Sequence, residues 1–350
     1  MVLALGGVRS VSEKSERPVW KGPSVREIAR LAGVGPATVD RVLNHRPGVR
    51  EVTRRRVRDA LAKLSQERSL AQPFDIRLLC ESGETFNAAM AAAEAEVNRV
   101  FPGARVTGSY GTTAAFDPKA FARRMLEEGR TASGVIVVAR EHPVVNQAVR
   151  RLNAEGVSTV CLTTDLPSSR RGAYVGNDQY AAGSVAGLLI GRALPVRSQR
   201  ILLLTSVSFR CQREREMGFR RVLRTEFPHL RVGERLIADD VPETTFEQVT
   251  RHLENHGSLA AVYNVAGANR GVAMALEAFS SRERTIFVAH ELTQRSRELL
   301  LSGAMDYVIS HDFAGELMAA VRWIAESRAG VTAPPAFSPI LVHTRYNCDL

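Results

Sequence analysis

Apolar residues along this chain follow two different rhythms, and the change comes at Gln72-Pro73. Before it, from Ser24 to about Gln66, they recur at helical spacing. Val25, Ile28, Ala29 and Ala32 make one inward stripe. Val39, Val42 and Leu43 make a second, and Val52, Val57, Ala60, Leu61 and Leu64 a third. The string Ser24-Val25-Arg26-Glu27 fits a capping box that starts the first helix. Gly33 supplies a left-handed stop, and Pro36 suits the first position of a second helix over 36–43. Pro47-Gly48 ends that segment, and a third helix covers about 51–66. The expectation is a small all-α domain, a helix-turn-helix, over 23–66.

After Pro73 short apolar runs alternate with amphipathic stretches. Strands are expected at 76–80, 105–110, 134–138, 159–163, 173–175, 201–205, 231–237, 260–263, 285–289 and 307–310. Helices are expected between them, at 88–100, 118–128, 144–153, 181–193, 213–226, 245–254, 269–279, 293–302 and 315–329. Repeated β-α units imply parallel sheets covered on both faces. So many strands suit two doubly wound parallel-sheet lobes, an α/β class, better than one. The expected layout is a disordered tail over 1–22, the helical domain over 23–66, a short linker over 67–74, the two-lobed domain over 75–343 and a C-terminal tail over 344–350.

Charge sharpens this division. The formal net charge of the 350 residues is +10. Between Pro23 and Gln72 eleven Lys/Arg face five Asp/Glu, whereas the 278 residues after Gln72 carry 32 against 30. An Arg-rich composition alone would not segregate the excess. A basic module attached to a nearly neutral domain is the footprint of polyanion binding. The four cysteines, Cys80, Cys161, Cys211 and Cys348, form no C-x-x-C pair. They read as buried thiols of a reducing, cytoplasmic compartment. No run of about 18 apolar residues occurs, so no membrane span is expected.

In a helix-turn-helix the second helix enters the major groove and its first residues meet base edges. Here the exposed face of that helix offers Pro36, Ala37, Asp40 and Arg41. Arg41 suits a bidentate contact with guanine and Ala37 a thymine methyl. Thr38 and Asn44 are placed for phosphates, with Arg54 or Arg55 on the third helix. Gly33-Val34-Gly35 begins like a dinucleotide fingerprint, but Thr38 stands at the third glycine and no strand precedes it, which excludes that reading.

The run Ala32-Gly33-Val34 … Thr38-Val39-Asp40-Arg41-Val42-Leu43-Asn44 resembles the lactose-repressor/galactose-repressor family of bacterial transcription regulators. The resemblance implies that Pro36, Ala37 and Arg41 read bases. It departs at Asp40 and Gly35, where the family usually has serine. Asp40 would repel a phosphate, so a nearby arginine or a cytosine donor is its expected partner. The family also continues into a hinge helix that wedges a leucine into the minor groove. Leu70 is the candidate wedge, but the linker is short, and strong bending of the DNA is not expected.

From Ile76 onward the chain resembles the sugar-binding module that this family shares with periplasmic solute receptors, two lobes joined by three crossing segments. The carrying strings are 174–183 and Arg213-Glu214-Arg215-Glu216-Met217-Gly218-Phe219. The resemblance implies that Arg215, Asn264, Glu291 and His311 meet an effector in the inter-lobe cleft. Asp165 and Phe86, each following a strand, are further candidates. Hydroxyls both donate and accept, so an Arg, an Asn and an acid suit a sugar-like or polyol effector, phosphorylated or acidic forms included. No G-x-S-x-G, P-loop, H-E-x-x-H or spaced Cys/His set occurs. Neither a catalytic site, a metal nor a cofactor is therefore expected. The expected partners are double-stranded DNA with a near-palindromic site, a small effector and a second copy of the chain as a homodimer.

Overall fold

The computed structural model describes residues 23–44, 46–71, 73–207, 209–279, 285–328, 330 and 333–349, without the side chains of 62 and 65–71. The expected 1–22 tail lies outside the described residues. The chain divides into two compact units, Met1–Arg68 and Ser69–Leu350.

The first unit holds α1 (Val25–Ala32), α2 (Pro36–Leu43) and α3 (Glu51–Ala71). The Ser24 hydroxyl accepts from the Glu27 amide while the Glu27 carboxylate accepts from the Ser24 amide, so two unpaired donors of the first turn are satisfied together. Gly33 takes φ 64° and stops α1. Ile28, Ala29, Ala32, Val39, Val42, Val57 and Ala60 form a small core, with Leu61 and Leu64 packed against it. Two expectations change. Val52 is 74% exposed. Stepping back from Val57 by three or four residues reaches Arg54 and Thr53, so position 52 faces outward, and Val49 packs in the gap instead. The third helix also runs to Ala71, through most of the expected linker.

The second unit alternates strands and helices: β1 (Phe74–Ser82), α4 (Glu84–Val100), β2 (Ala104–Thr112), α5 (Pro118–Gly129), β3 (Gly134–Val138), α6 (Pro143–Ala154), β4 (Ser158–Leu162), β5 (Ala173–Val175), α7 (Gln179–Ala193), β6 (Gln199–Thr205), α8 (Arg210–Glu226), β7 (Leu230–Val232), β8 (Leu236–Ile237), α9 (Pro242–His256), β9 (Ala261–Asn264), α10 (Asn269–Ala278), β10 (Ile286–His290), α11 (Gln294–Leu301), β11 (Tyr307–Ser310), α12 (Phe313–Arg328) and β12 (Leu341–His343). One sheet has the order β2-β1-β3-β4-β5, all parallel. The other runs β12-β11-β10-β9-β6-β7, with β8 also on β6. Its members are parallel except β12, which lies antiparallel on β11. All five residues of β3 are buried, as an unbroken apolar run between two helical layers requires.

The chain passes between the lobes three times: after β5, after β11 and between α12 and β12. Helix α12 follows a strand of the second sheet but packs Leu317, Val321 and Ile324 into the core of the first. The segment expected as one strand at 231–237 is two short strands on either side of Gly233. The expected tail from 344 is instead packed. Cys348 is buried in the second lobe's core, and Asp349 pairs with Arg297 at 2.7 Å. Hydrophobic burial outweighs the lack of a periodic signal in so short a segment.

Helices α7 and α8 meet backbone to backbone. A Cβ added at Gly183 would collide with the Arg215 carbonyl, and one at Gly218 with that of Tyr180. We expect Gly183→Ala to destabilise the second unit by roughly 1–3 kcal/mol through overpacking. Gly233→Ala, where nothing lies within 4 Å, is the neutral control. Equal unfolding midpoints for the two variants in denaturant would contradict this.

Candidate functional site

The two sheets present the carboxyl ends of their strands to a shared cavity of about 660 Å³, its mouth included. This is where open α/β sheets hold ligands. Thr163 after β4, Asp240 after β8 and Glu291 after β10 line it, and all three have positive φ (60°, 63° and 68°). Ala268, beside the lining residue Asn269, is a fourth, at 55°. Non-glycine residues in this region store about 1–3 kcal/mol each, and such strain concentrates at functional sites.

Arg215 projects from α8 into this wall and is buried. Its Nε donates to Gln179 Oε1 at 2.7 Å and its Nη2 pairs with Glu291 Oε1 at 2.8 Å. Gln179 in turn donates to the Thr163 carbonyl at 2.9 Å. The other Glu291 oxygen lies 2.8 Å from His311 Nε2, and His311 Nδ1 lies 2.8 Å from Glu316 Oε2. Ser338 donates to the remaining Glu316 oxygen. Four charges of alternating sign thus stand in a row, with the first two at the cavity. Burial alone would lower the His311 pKa, but Glu316 and Glu291 together raise it to about 10. Burial likewise opposes ionisation of Glu291, and His311 and Arg215 overcome it, holding the carboxyl well below its usual range. Beside them His290 is kept neutral, chiefly by burial, and shares a 2.7 Å hydrogen bond with the Tyr263 hydroxyl.

Of the residues singled out in the sequence, Phe86, Arg215 and Glu291 lie on the cavity wall. Phe86 sits in the first turn of α4 with its ring edge-on to Phe313 at 5.2 Å. His311 stands behind Glu291 rather than on the wall. Two placements need correction. Asn264 is fully buried, and its amide is spent on Gly267 O, Asn269 Oδ1 and the Ala266 N–H, so it shapes the loop before α10. Asp165 faces a separate cleft and is held by both nitrogens of an Arg171 fork. Sequence reasoning missed Gln179, Asp240 and Glu316. Asp239-Asp240 before Pro242 looks like a pair of helix-starting acids, and Glu316 looks like an ordinary first-turn carboxylate. No local signal separates buried acids from such surface ones.

On the first unit Pro36, Ala37 and Arg41 are exposed along α2, and Thr38 is half-buried. No ion pair engages Arg41 among the described residues. Asp40 is neutralised: it pairs with Arg46 at 3.2 Å and accepts from Asn44 at 2.8 Å. That contact also occupies the Asn44 amide. Arg54 is half-buried, donating to the Val49 carbonyl at 3.2 Å, with Glu51 at 3.5 Å. This withdraws it from the surface and leaves Arg55 as the more available cation. Leu70 lies in the last turn of α3, and its side chain is outside the description. No described helix is long and apolar enough to cross a membrane.

Residues 81–330 match the periplasmic binding protein domain. The chain belongs to that family. Residues 24–67 match the bacterial regulatory proteins of the lacI family. A lacI-type DNA-binding unit is therefore joined to a periplasmic-binding-protein unit. Over 40 residues the chain is 50% identical to the sucrose operon repressor of Vibrio alginolyticus, a match spanning 11% of this chain and 43% of that protein. The fold resembles a glucose-galactose binding protein of Geobacillus stearothermophilus (TM-score 0.71, 19% identity, 80% of this chain and all of that one). It also resembles a solute-binding protein of Burkholderia graminis in complex with D-arabinose (TM-score 0.71, 16% identity, 79% and 97%). A third is a solute-binding protein of Bacillus halodurans with bound myo-inositol (TM-score 0.69, 17% identity, 79% and 96%).

The family's two-lobed unit here carries a pH signature. His311 is more basic folded than its ordinary 6.5. The stabilisation is complete below about 6.5, declines as pH rises and is gone above about 10. Wild-type stability relative to His311→Gln should therefore fall across pH 6.5–10 in denaturant titrations. A constant difference over that window would refute the charged His311.

Proposed function

We propose that this chain is a transcription repressor whose affinity for a DNA operator is controlled by a small sugar-like or polyol effector seated in the inter-lobe cavity. The observation that carries this reading is the pairing in one chain of a lacI-type helix-turn-helix, with Arg41 exposed on its second helix, and a two-lobed unit of the solute-receptor fold. Several relatives of that fold hold glucose or galactose, D-arabinose or myo-inositol by their names, which supports a polyhydroxylated ligand class. The unit acts in this reading as a regulator, not an enzyme, and works in the cytoplasm as a homodimer. One helix-turn-helix covers one half-site, so two copies read a near-palindrome with half-sites about one DNA turn apart. Effector binding between the lobes favours the closed arrangement, and its differential affinity for two states becomes the change in operator affinity.

The proposed base readers are Pro36, Ala37 and Arg41, with Thr38 and Arg55 on phosphates. Leu70 is the proposed minor-groove residue. In the cavity Phe86 offers an apolar face, and Arg215 and Glu291 offer hydrogen-bonding edges.

Selection of bound fragments from a random DNA pool tests the first half. A near-palindromic consensus is expected. Arg41→Ala should cost roughly 1–3 kcal/mol and relax preference at one base pair per half-site. Unchanged preference would remove Arg41 from base reading. Arg215→Lys keeps the charge but loses the planar fork that meets Gln179 and Glu291 together. It should weaken effector binding about tenfold or more while leaving effector-free operator affinity intact. Full effector response in that variant, measured by fluorescence anisotropy on the selected operator, would move the site elsewhere.

A further inference from the structure

Charge bookkeeping around the cavity leaves one group over. Arg215 is matched by Glu291, and His311 by Glu291 and Glu316. Three further arginines of this unit are matched too: Arg140 with Glu81 at 2.7 Å, Arg213 with Glu141 at 3.5 Å and Arg210 with Glu214 at 2.7 Å. Asp240, on the cavity wall, has no cationic partner among the described residues. Its Oδ1 accepts from the Gly267 amide at 2.7 Å, and the hydroxyl groups of Ser206 and Thr113 favour its ionised form. Besides burial, the charge that acts on it is an acid, Asp239 beside it, which makes its ionisation harder; Asp240 in turn raises the pKa of Glu81. Burial adds to this, raising its pKa above the ordinary carboxylate value.

Location makes the excess informative. Asp240 follows β8 in the second lobe, yet a Cβ built on Gly83 of the first lobe would lie 3.4 Å from its own Cβ. Thr113, one of its hydroxyl partners, also belongs to the first lobe. The backbone at Asp240 is left-handed, a conformation an aspartate holds only at some cost. An unmatched carboxylate is thus held, against strain and desolvation, where the two lobes meet around the ligand space. A buried charge is stabilised by a partner of opposite sign, and none of the described residues supplies one.

Resting on the effector reading above, we propose that Asp240 selects an effector bearing a positively charged nitrogen, such as an amino sugar or amino-polyol, and that the site discriminates against phosphorylated and acidic sugars. The ammonium group meets Asp240 on the cavity wall, where the two lobes already touch. The hydroxyl groups of the same ligand face Arg215, Glu291 and Asn269. Among the described residues the cation on the wall, Arg215, is already paired with Glu291 and not free to receive a phosphate or carboxylate, which narrows the class that the sequence left open.

Calorimetric titration of the full-length protein with matched sets tests this. One set is D-glucosamine, D-glucose and D-glucose 6-phosphate. Others are D-galactosamine with its neutral and phosphorylated counterparts, and an amino-inositol with myo-inositol and an inositol phosphate. In the set that binds, the ammonium member should bind about tenfold or more tighter than its neutral parent, with no measurable binding of the phosphate. Asp240→Asn keeps the shape and an oxygen for the Gly267 amide, so a purely structural Asp240 would lose nothing specific. Our proposal requires that this variant bind ammonium and neutral members within about threefold of each other. Tightest binding by a phosphate or a neutral parent, or an ammonium preference that survives Asp240→Asn, overturns it. If a neutral parent binds best and Arg215→Lys weakens it, the cavity reading stands and only the charge inference fails. If no member of any set binds, both fall.

Discussion

Arg215, Glu291, His311 and Glu316 are taken out of water together, and the second unit is arranged around the need to keep them matched. Each alone would carry a desolvation cost of several kcal/mol. Set in alternating order at 2.8 Å, each charge has its opposite beside it. The row also reaches every passage between the lobes. Gln179 begins the helix entered after the first crossing, His311 and Glu316 flank the second, and Ser338 lies on the third. Buried ionic contacts of this kind add little net stability over apolar packing. What they fix here is which atoms of one lobe's connections face which atoms of the other.

Apolar packing supplies the frame that holds the row. Each sheet has helical cover on both faces, and the cores of the two lobes are separate. Helix α12 ties them, because its first turn carries Glu316 and its body is buried against the first sheet. The glycine contact between α7 and α8 sets Arg215 at the depth where its fork spans Gln179 and Glu291. A side chain at Gly183 would press on the backbone of Arg215 itself. The strained residues at the strand ends are tolerated because this frame over-determines them. Their common result is to turn polar groups into the gap between the lobes.

The first unit solves a different electrostatic problem. It must keep a basic surface while carrying an acid on its reading helix. Asp40 is neutralised by Arg46 and tied to Asn44, so Arg41 stands one position away with no ion pair among the described residues. Arg54, by contrast, is folded back onto Val49 and Glu51. Net charge counts these arginines alike, but their availability to a polyanion differs.

The sequence by itself determined what depends on neighbours in the chain. Capping at Ser24, the stop at Gly33, the start at Pro36 and the apolar runs of the strands follow from local sterics and hydrogen bonding. They placed nearly every element within a few residues. The wall position of Arg215 was legible from the string around it, and that of Glu291 from its place after an apolar strand run. Tertiary structure decided the rest. Asn264 looks the same in sequence whether it faces a ligand or closes its own loop, and only the positions of Gly267 and Asn269 choose the loop. Asp240 and Glu316 read as helix-starting acids, since nothing within a few residues of them reports burial. Glu291 is matched by Arg215 from 76 residues away, and a pairing across that distance exists only once the unit has folded.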